Sequence, residues 1–596
     1  MKMVMIALCA LSAWSIKATG EEISGPGKDS ENYELFVVKS PITDERLLPT
    51  ASLEDLSASE NVDSSRTLSL VACRGEYEPA SFVIYAQQDL HQINIATSDL
   101  GGKGTVIPAK SIDIRTVKCW YQAGIGTKIN REERTKYLTP ELLLKNDDLI
   151  QVDYAAKVNS PIDYKTIKDA EELQPFDIPA KSLKQIWVTV HVPEGISPGD
   201  YEGTIDVLPS NGVSAQLKLV VKVLPFKLEE PRLEYCIYYH GQLTEQRTLG
   251  PFYKSAVQML ADFRYMKAHG IDNPSLTSSS VNFSPAVVKQ VLELRRKAGM
   301  DNKTILYGGD PALPCVGASN GPEQLEQLKE LVRERIKVFK DNGVSEVYFY
   351  GIDEATGEML KAERSSWQAV HEEGGKMWGA CFEGFFEVVG DLLDSVVYFR
   401  APDAEMAQKV HTYPGHKIYG YAIESFHAGH LGTELPYSVR SNYGLNFWKA
   451  GYDGVCEYSY QHPVPWARGF DSKGTTLWDD FDTFEDLGKV PDVQSLRDFV
   501  MAYPTIDGVV PTVQGEGFRE AVDDVRYITT LEKTLQEVKT ISSLNTPARE
   551  TERWLKNLDV KGASLQNIRR ETVERIMKLK ALAWAVDNSG GGDSKH

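Results

Sequence analysis

The chain has 596 residues and a formal net charge of −19, and 42% of its residues are hydrophobic. This length is too great for one ordinary hydrophobic core, so several domains are expected. The acidic balance argues against nucleic acid or an anionic membrane as the main partner, because phosphates are neutralised by clustered Lys and Arg, whereas a neutral oligosaccharide remains acceptable.

The first twenty residues are typical of a secretory signal peptide. Lys2 gives a basic start, residues 3–14 are apolar but too few to span a bilayer, and residues 18–20 (Ala-Thr-Gly) offer a cleavage site. Leu8 before Cys9 is too large for a lipoprotein signal. No later run approaches the roughly 18 apolar residues of a membrane helix. We therefore expect a protein released into the periplasm or outside the cell.

Six cysteines follow this leader, at positions 73, 119, 236, 315, 381 and 456. They lack a Cys-x-x-Cys spacing, so neither a disulfide framework nor a zinc site is predicted, and no metal or cofactor is implied. Cys236, Cys381 and Cys456 fall in strand-like runs and are expected to be buried. The sequence does not decide whether Cys73 and Cys119 form a disulfide bridge.

Residues 21–230 are predicted to form an N-terminal all-β sandwich. Short alternating apolar runs, such as 80–86 and 217–223, are separated there by Gly, Pro, Asn and Asp. The charged segment 224–231 has prolines near both ends and is typical of a linker.

Residues 231–518 change to a repeated strand-then-helix rhythm, which predicts a (β/α)8 TIM-like barrel. Eight strands close such a barrel, and we count eight apolar runs: 233–239, 271–276, 304–307, 346–350, 376–382, 395–400, 417–423 and 454–460. An apolar stripe between residues 325 and 339 indicates a helix packed outside the sheet. An open doubly wound sheet is the competing fold, but its Gly-rich nucleotide turn is absent from the sequence.

The last part of the chain is predicted to be helical. A hairpin is expected beyond residue 504, and charged helices that pack on the barrel are expected over residues 519–588. Residues 589–596 have the composition of a disordered tail.

Polar and aromatic side chains follow the predicted barrel strands, at the end where catalytic loops converge in such barrels. Asp353 and Glu354 come directly after the fourth run, and Trp466 and Trp478 follow the eighth, where their flat faces can stack on a sugar ring. Further substrate contacts are predicted for the residues at the other strand ends, namely His240, Asn273, Arg400, Glu424, Tyr458 and Tyr460.

The adjacent carboxylates are suited to glycoside hydrolysis. Two neighbouring carboxylates repel each other, which raises the pKa of one of them and makes a proton donor available near neutral pH. Glu354 is the longer side chain and the better candidate to protonate a glycosidic oxygen. The anomeric carbon is then stabilised by a second carboxylate or by the substrate's own acetamido oxygen, in which case Asp353 would hold the acetamido N–H.

Three segments resemble glycoside hydrolase family 123 and its relatives: residues 515–527 (Gly-Glu-Gly-Phe-Arg-Glu-Ala-Val-Asp-Asp-Val-Arg-Tyr), 74–79 (Arg-Gly-Glu-Tyr-Glu-Pro) and 198–203 (Pro-Gly-Asp-Tyr-Glu-Gly). The resemblance covers nearly the whole mature chain. It implies a β-sandwich followed by a (β/α)8 barrel that removes terminal β-linked N-acetylgalactosamine with retention through an oxazolinium intermediate. It also implies Glu354 as acid/base and Asp353 as the residue that orients the acetamido group. Ala521 and Ala355 depart from the family pattern, so the identity of the sugar stays undetermined.

Two other functions stay open. In the first, Glu354 remains acid/base and Glu424 acts as covalent nucleophile on a sugar without an acetamido group. In the second, the chain is a secreted carbohydrate-binding protein without catalysis. The sequence leaves the linkage, the exo or endo mode and the oligomeric state undetermined.

Some of these residues also have a structural interpretation. His240 is more often a hydrogen-bonded structural histidine than a ligand, and Trp466 and Trp478 can simply cover the barrel mouth. A structural ion-pair network that docks the last helices is the favoured interpretation for four charged residues of the family-like segment: Arg519, Asp523, Asp524 and Arg526.

Overall fold

A computed structural model of the chain describes residues 32–589, apart from 103, 123, 126–127, 130–134, 162–165, 246–251, 278–282, 309–320, 421–433, 463–477 and 479–498. The predicted leader, and the predicted tail apart from Ser589, lie outside the described residues.

The N-terminal part forms two large β-sheets that pack face to face, together with two small two-stranded sheets. Its strands are β1 (Tyr33–Val38), β2 (Val62–Asp63), β3 (Thr67–Ala72), β4 (Tyr77–Ala86), β5 (Leu90–Thr97), β6 (Leu100–Gly102), β7 (Thr105–Ile107), β8 (Ile112–Gln122), β9 (Gly124–Ile125), β10 (Lys128–Ile129), β11 (Tyr137–Leu144), β12 (Ile150–Asp153), β13 (Val158–Pro161), β14 (Phe176–Ile178), β15 (Ser182–His191), β16 (Gly199–Leu208) and β17 (Ala215–Val223). One sheet has the order β11-β8-β15-β4-β1-β2, and the other has β14-β5-β16-β17-β3 with β6 and β7 beside β16.

The core between these sheets follows from the alternation of apolar residues in the strands. Along β17, Leu217, Leu219, Val221 and Val223 are buried while the residues between them face outward. They pack against inward residues of the opposite sheet, such as Phe82 of β4. This arrangement agrees with the β-rich N-terminal domain predicted from the sequence.

The strands after this domain are β18 (Glu234–Ile237), β19 (Gln242–Leu243), β20 (Tyr253–Lys254), β21 (Asn273–Pro274), β22 (Leu276–Thr277), β23 (Thr304–Gly308), β24 (Glu346–Tyr350), β25 (Lys376–Cys381), β26 (Ser395–Tyr398), β27 (Lys417–Gly420), β28 (Gly454–Glu457), β29 (Gln461–His462), β30 (Phe499–Val500), β31 (Ala502–Pro504) and β32 (Val509–Pro511). The last two form the predicted hairpin.

Eight strand positions form a nearly closed parallel barrel, as predicted. The sheet order is β21-β18-β28-β27-β26-β25-β24-β23-β22, and every pair is parallel. The second position is split: β21 pairs with β18, and β22 pairs with β23. The chain bends at Ser275, whose N–H donates to the Ile237 carbonyl at 2.8 Å.

Side chains alternate between the barrel interior and the surrounding helices. Cys236, Tyr238, Trp378, Ala380 and Cys456 belong to one interior cluster, whereas their neighbours along the strands pack against the helices. Bulky rings therefore fill the barrel, which is a packed core with its polar groups at the two ends.

The helices are α1 (Leu53–Ala58), α2 (Ala256–Ala268), α3 (Pro285–Lys297), α4 (Pro322–Asp341), α5 (Gly357–Ala362), α6 (Arg364–Glu372), α7 (Phe385–Val389), α8 (Ala404–Val410), α9 (Pro436–Tyr443), α10 (Leu445–Ala450), α11 (Val513–Lys539), α12 (Asn545–Lys556) and α13 (Leu565–Ser589). The predicted stripe between residues 325 and 339 lies on α4, where Leu328, Val332, Ile336 and Phe339 are buried. No helix in the described part of the chain is both long and apolar enough to cross a membrane.

Helix α11 begins at Val513, before the boundary at residue 519 that the sequence predicts. Thr512 caps it by accepting a hydrogen bond from the Gly515 N–H. Almost every residue of its first half is buried, including the charged ones, so the helix begins inside the protein and not on its surface. Gly517 permits the close packing, because a Cβ at this position would lie 2.3 Å from the Pro436 carbonyl oxygen.

The charged residues of segment 515–527 join three parts of the fold. The Asp524 carboxylate of α11 accepts hydrogen bonds from Nε of Arg440 on α9 and from Nε of Arg569 on α13. Both N–O distances are 2.7 Å. Arg569 also lies 2.7 Å from Glu520 and 3.5 Å from Glu78 of the sandwich. Two more ion pairs lie within α11, Arg519 with Glu516 and Arg526 with Asp523. The structure thus supports the interpretation of this segment as an ion-pair network.

The cysteines of the described residues are free. Cys73 and Cys119 are both buried free thiols, so the bridge that the sequence left open is not formed. Cys236, Cys381 and Cys456 are buried in the barrel wall, as predicted. Cys315 lies outside the described residues.

Glu76 is a buried acid at the seam between the sandwich and α11. Its Oε2 accepts hydrogen bonds from the Cys73 N–H at 2.6 Å and from the Tyr527 hydroxyl at 2.9 Å. Burial, assisted by the nearby charge of Asp523, raises the pKa of Glu76 to about 8. The carboxyl group is therefore neutral at pH 7, where a free glutamate would be ionised.

This protonation makes the stability of the protein depend on pH. The unfolded chain releases the Glu76 proton near pH 4.5, but the folded chain keeps it up to about pH 8. Since the folded state then holds more protons, stability falls as pH rises between these values. Glu76→Gln mimics the neutral acid, so the variant should not share the loss of stability that the wild type undergoes as pH rises. We expect the unfolding free energy of the variant minus that of the wild type to increase by about 3–4 kcal/mol from pH 5 to pH 8.

Urea unfolding at both pH values measures this difference. Glu202→Gln is the control, because it alters only an exposed ion pair with Lys218. A difference for Glu76→Gln that does not change with pH would contradict the assignment of a neutral Glu76.

Candidate active site

Asp353 and Glu354 lie on the turn between β24 and α5, at the carboxyl end of the barrel. The adjacent strand β25 holds this turn through its carbonyl groups: Gly351 N–H donates to Trp378 O and Glu354 N–H donates to Ala380 O, each at 3.2 Å. Both acidic side chains are exposed. Glu354 has a φ of +52°, a left-handed conformation that costs a residue with a Cβ about 1–2 kcal/mol.

A pair of tyrosines orients Asp353. The Tyr350 hydroxyl donates to Asp353 Oδ1 at 2.6 Å. The Tyr350 hydroxyl oxygen itself accepts a hydrogen bond from the Ala380 N–H at 3.4 Å and lies 3.1 Å from the Tyr238 hydroxyl. Because the Tyr350 proton is used for Asp353, Tyr238 is the donor in that contact. The Asp353 carboxylate is therefore fixed from inside the barrel.

The surroundings raise the pKa of both carboxyl groups. Partial burial is the main cause for each, and the charge of Asp353 is a second cause for Glu354. Both side chains touch solvent, yet the barrel mouth withholds part of their hydration. The sequence predicted a raised pKa from mutual repulsion, and the structure corrects the order of the causes: loss of hydration comes first.

An aromatic wall faces the pair. Tyr458 packs on Tyr238, whose hydroxyl contacts the Tyr350 hydroxyl that donates to Asp353. Burial, and then the charges of Asp353 and Glu354, raise the pKa of Tyr458 well above its usual value. The Tyr458 ring lies 5.4 Å from those of Tyr238 and His240 and 5.2 Å from that of His462.

His240 is part of this wall and is neutral at pH 7. Burial lowers its pKa to about 4. Its Nε2 has no hydrogen-bond partner within the described residues. The predicted residues His240, Asp353, Glu354 and Tyr458 are therefore brought together by the fold, and Tyr350 and His462 are additional members that the sequence did not indicate.

Three other predicted residues have different surroundings. Tyr460 is buried, and its hydroxyl donates to Asp262 at 3.1 Å. Asn273 accepts a hydrogen bond at 3.1 Å from Arg295 of α3, which is also buried. Tyr460 and Asn273 thus connect barrel segments to the surrounding helices. Arg400 is exposed after β26 and lies 3.3 Å from Glu383 of the neighbouring loop, at the rim of the barrel.

Trp478 does not reach the carboxylate pair. Its side chain is 1% exposed, its indole N–H donates to the Pro504 carbonyl at 2.8 Å, and its ring packs against Trp120 and Tyr503. It fills the seam between the sandwich and the β31–β32 hairpin, so the structure corrects its assignment to a sugar-stacking surface. Glu424 and Trp466 lie outside the described residues.

No group of three or more His, Cys, Asp or Glu side chains arranged to hold a metal ion occurs among the residues that the structure describes.

Comparison with known proteins identifies the N-terminal part of the chain. Residues 56–209 match the model of the glycoside hydrolase 123 N-terminal domain. No curated protein matches the chain.

One solved structure extends the similarity of fold to the barrel. A family 123 glycoside hydrolase from Clostridium perfringens is 12% identical with a TM-score of 0.62, over 94% of this chain and 99% of that one. A putative α-L-fucosidase from Bacteroides thetaiotaomicron is 14% identical with a TM-score of 0.27, over 44% of this chain and 99% of that one. The domain match confirms the family 123 resemblance for the N-terminal part, and the Clostridium protein shares the fold of nearly the whole chain.

The left-handed backbone at Glu354 has a measurable consequence. Glycine adopts this conformation without the steric cost of a Cβ, so we expect Glu354→Gly to be more stable than Glu354→Gln by up to about 1 kcal/mol. Glu354→Gln is the matched control, since it keeps the side-chain size. Urea unfolding of both variants tests this, and a Gly variant that is the less stable of the two would contradict the assigned backbone conformation.

Proposed function

We propose that the chain is an exported glycoside hydrolase that removes terminal β-linked N-acetylgalactosamine, or a related 2-acetamido sugar, from oligosaccharides. The observation that carries this proposal is the Asp353-Glu354 turn. It presents two carboxyl groups with raised pKa at the carboxyl end of a barrel and beside an aromatic wall. The family 123 domain match and the shared fold support the same class of reaction. The leader-like first twenty residues support export.

In the first step, Glu354 in its protonated form donates its proton to the glycosidic oxygen as the bond to the anomeric carbon breaks. The acetamido oxygen of the substrate attacks that carbon from the opposite face, and an oxazolinium ion forms. Asp353, oriented by Tyr350, accepts a hydrogen bond from the acetamido N–H and stabilises the positive charge that develops.

In the second step, the ionised Glu354 takes a proton from water, and the resulting hydroxide attacks the anomeric carbon and reopens the ring of the intermediate. Two inversions give a product with the original configuration. Tyr458 and His240 form an adjacent surface on which the apolar face of the sugar can lie.

The Clostridium perfringens protein hydrolyses the glycans of glycolipids. We therefore include the glycan termini of glycolipids among the substrates to test for this chain. A panel of chromogenic β-N-acetylgalactosaminide, β-N-acetylglucosaminide and β-galactoside identifies the preferred sugar.

Changes to the two acids should affect turnover and binding differently. Glu354→Gln removes the proton donor, so we expect kcat to fall by at least about 10³-fold. Asp353→Asn keeps the size of the side chain but loses the charge, so kcat should fall by about 10²-fold or more with KM changed only slightly. Steady-state kinetics on the preferred glycoside measure both effects.

Glu383→Gln serves as a control, because Glu383 is an exposed rim residue paired with Arg400. Activity that survives both Asp353→Asn and Glu354→Gln would end the proposal. Hydrolysis of a plain β-galactoside at a comparable rate, lost in Glu424→Ala, would instead favour the mechanism with Glu424 as nucleophile.

The pH profile should depend on the neighbouring charge. The Asp353 charge contributes to the raised pKa of Glu354, so its removal lowers that pKa. The acid must be protonated for the first step, and activity is lost as pH rises through this pKa. We therefore expect the alkaline limb of the kcat/KM profile of Asp353→Asn to lie at lower pH than that of the wild type. An alkaline limb at unchanged or higher pH would contradict the assignment of Glu354 as the acid.

A further inference from the structure

Glu363 lies beneath the turn that carries the two acids. It occupies the junction between α5 and α6, and it is fully buried. Its Oε2 accepts hydrogen bonds from the Ile352 N–H at 2.8 Å and from the Trp367 indole N–H at 2.9 Å. Ile352 directly precedes Asp353, so this buried carboxyl group is bonded to the backbone of the turn itself.

Gly351, at the start of the turn, also packs closely against Glu363. A Cβ at Gly351 would lie 2.7 Å from Glu363 Oε2 and also 2.7 Å from the Trp367 ring. The glycine therefore lets the backbone rest directly on the carboxyl group. The Trp367 side chain, 1% exposed, fixes the position of the same oxygen from the other side.

Three hydrogen bonds donated by backbone N–H groups hold residues 351–354 in place. Two of them end on carbonyl groups of β25, at Trp378 and Ala380, and connect the turn to the sheet. The third is the bond from Ile352 to Glu363, and its acceptor is a side chain on a different element. A left-handed residue such as Glu354 persists only where the surrounding structure restrains it, and the Glu363 bond acts two residues before it.

We propose that Glu363 is a positioning residue, which anchors the Ile352 backbone so that Asp353 and Glu354 meet the substrate in the reactive geometry. This inference rests on the proposed glycoside hydrolase function. Glu363 does not touch the reacting atoms; it acts through the turn. A displacement of about 1 Å at reacting groups is sufficient to reduce turnover by about 100-fold, so one anchoring bond has a large effect on rate.

The charge of Glu363 is not needed for this role. Its Oε1 has no hydrogen-bond partner within the described residues, and burial raises the pKa of Glu363 to about 7. The two bonds to Oε2 can be made by a neutral carboxyl group or by the oxygen of an amide. Glutamine is therefore a conservative replacement that keeps the anchor, whereas alanine removes it.

Two variants of Glu363 and one control test this role. We expect Glu363→Ala to lower kcat by about 10- to 100-fold with KM within about threefold of the wild type. Glu363→Gln should retain kcat within about threefold. Glu372→Ala on α6 removes only an exposed ion pair with Lys329 and should leave both constants unchanged. Equal folding of the variants is checked by their unfolding midpoints.

Hydrogen–deuterium exchange of the peptide covering residues 350–356 provides a readout that does not require activity. Loss of the acceptor should speed exchange of this peptide in Glu363→Ala, while Glu363→Gln should retain the protection of the wild type. If the wild type cleaves none of the glycosides, the proposed function fails, and the exchange experiment still decides whether Glu363 anchors the turn.

Three results would overturn the inference: kcat of Glu363→Ala within threefold of the wild type, kcat of Glu363→Gln as low as that of Glu363→Ala, or exchange of the 350–356 peptide that is the same in all variants. Should Glu363→Ala fail to fold, Glu363→Asp replaces it, because the shorter side chain withdraws the carboxyl group from the Ile352 N–H.

Discussion

The proposed site depends on one constraint, which is that two consecutive acidic residues must both reach the barrel mouth from a single tight turn. Consecutive side chains of an extended strand point in opposite directions. The chain avoids this by leaving β24 at Tyr350 and by giving Glu354 a left-handed backbone, which re-aims its side chain. The cost of that conformation is offset by hydrogen bonds to the neighbouring strand and to Glu363. The barrel thus supplies a rigid frame for the turn that carries the two acids.

The segment that most resembles family 123 has a different role from the acid pair. Residues 515–527 lie on α11, where Asp524 binds Arg440 and Arg569 and the Tyr527 hydroxyl donates to Glu76 of the sandwich. Arg569 in turn pairs with Glu78 of the sandwich. Such a buried network is sensitive to the loss of any one member, because the remaining charges stay buried without a partner. This segment therefore helps to fix how the sandwich and the barrel fit together, and it lies apart from the turn that carries the two acids.

The architecture was largely predictable from the sequence because it follows from apolar periodicity. The eight barrel runs and the strand alternation of the sandwich are properties of local pattern. The position of Asp353 and Glu354 was predictable for a related reason, since carboxyl ends of parallel strands meet at one edge. The direction in which an individual side chain points could not be predicted, because it depends on the residue at which each strand ends. Strand β28 ends at Glu457, so the chain has turned before Tyr460, which packs on Asp262.

Long-range contacts explain the other differences. Trp478 follows the eighth strand in sequence, yet its partners Trp120 and Tyr503 belong to the sandwich and the late hairpin. Glu363 was overlooked because it lies among exposed charged residues of two short helices. The one local signal is the Trp367 four residues later, which lies on the same helical face and needs an acceptor for its indole N–H.

The central claim is that the acid pair acts together with the acetamido group of the substrate. The most direct test is to measure kcat on a series of β-N-acetylgalactosaminides in which the acetamido methyl hydrogens are replaced stepwise by fluorine. Fluorine withdraws electrons from the participating oxygen and leaves the leaving group unchanged. The account predicts that kcat falls steeply with each fluorine, while rates that are independent of fluorination, or the absence of any hydrolysis, would contradict it.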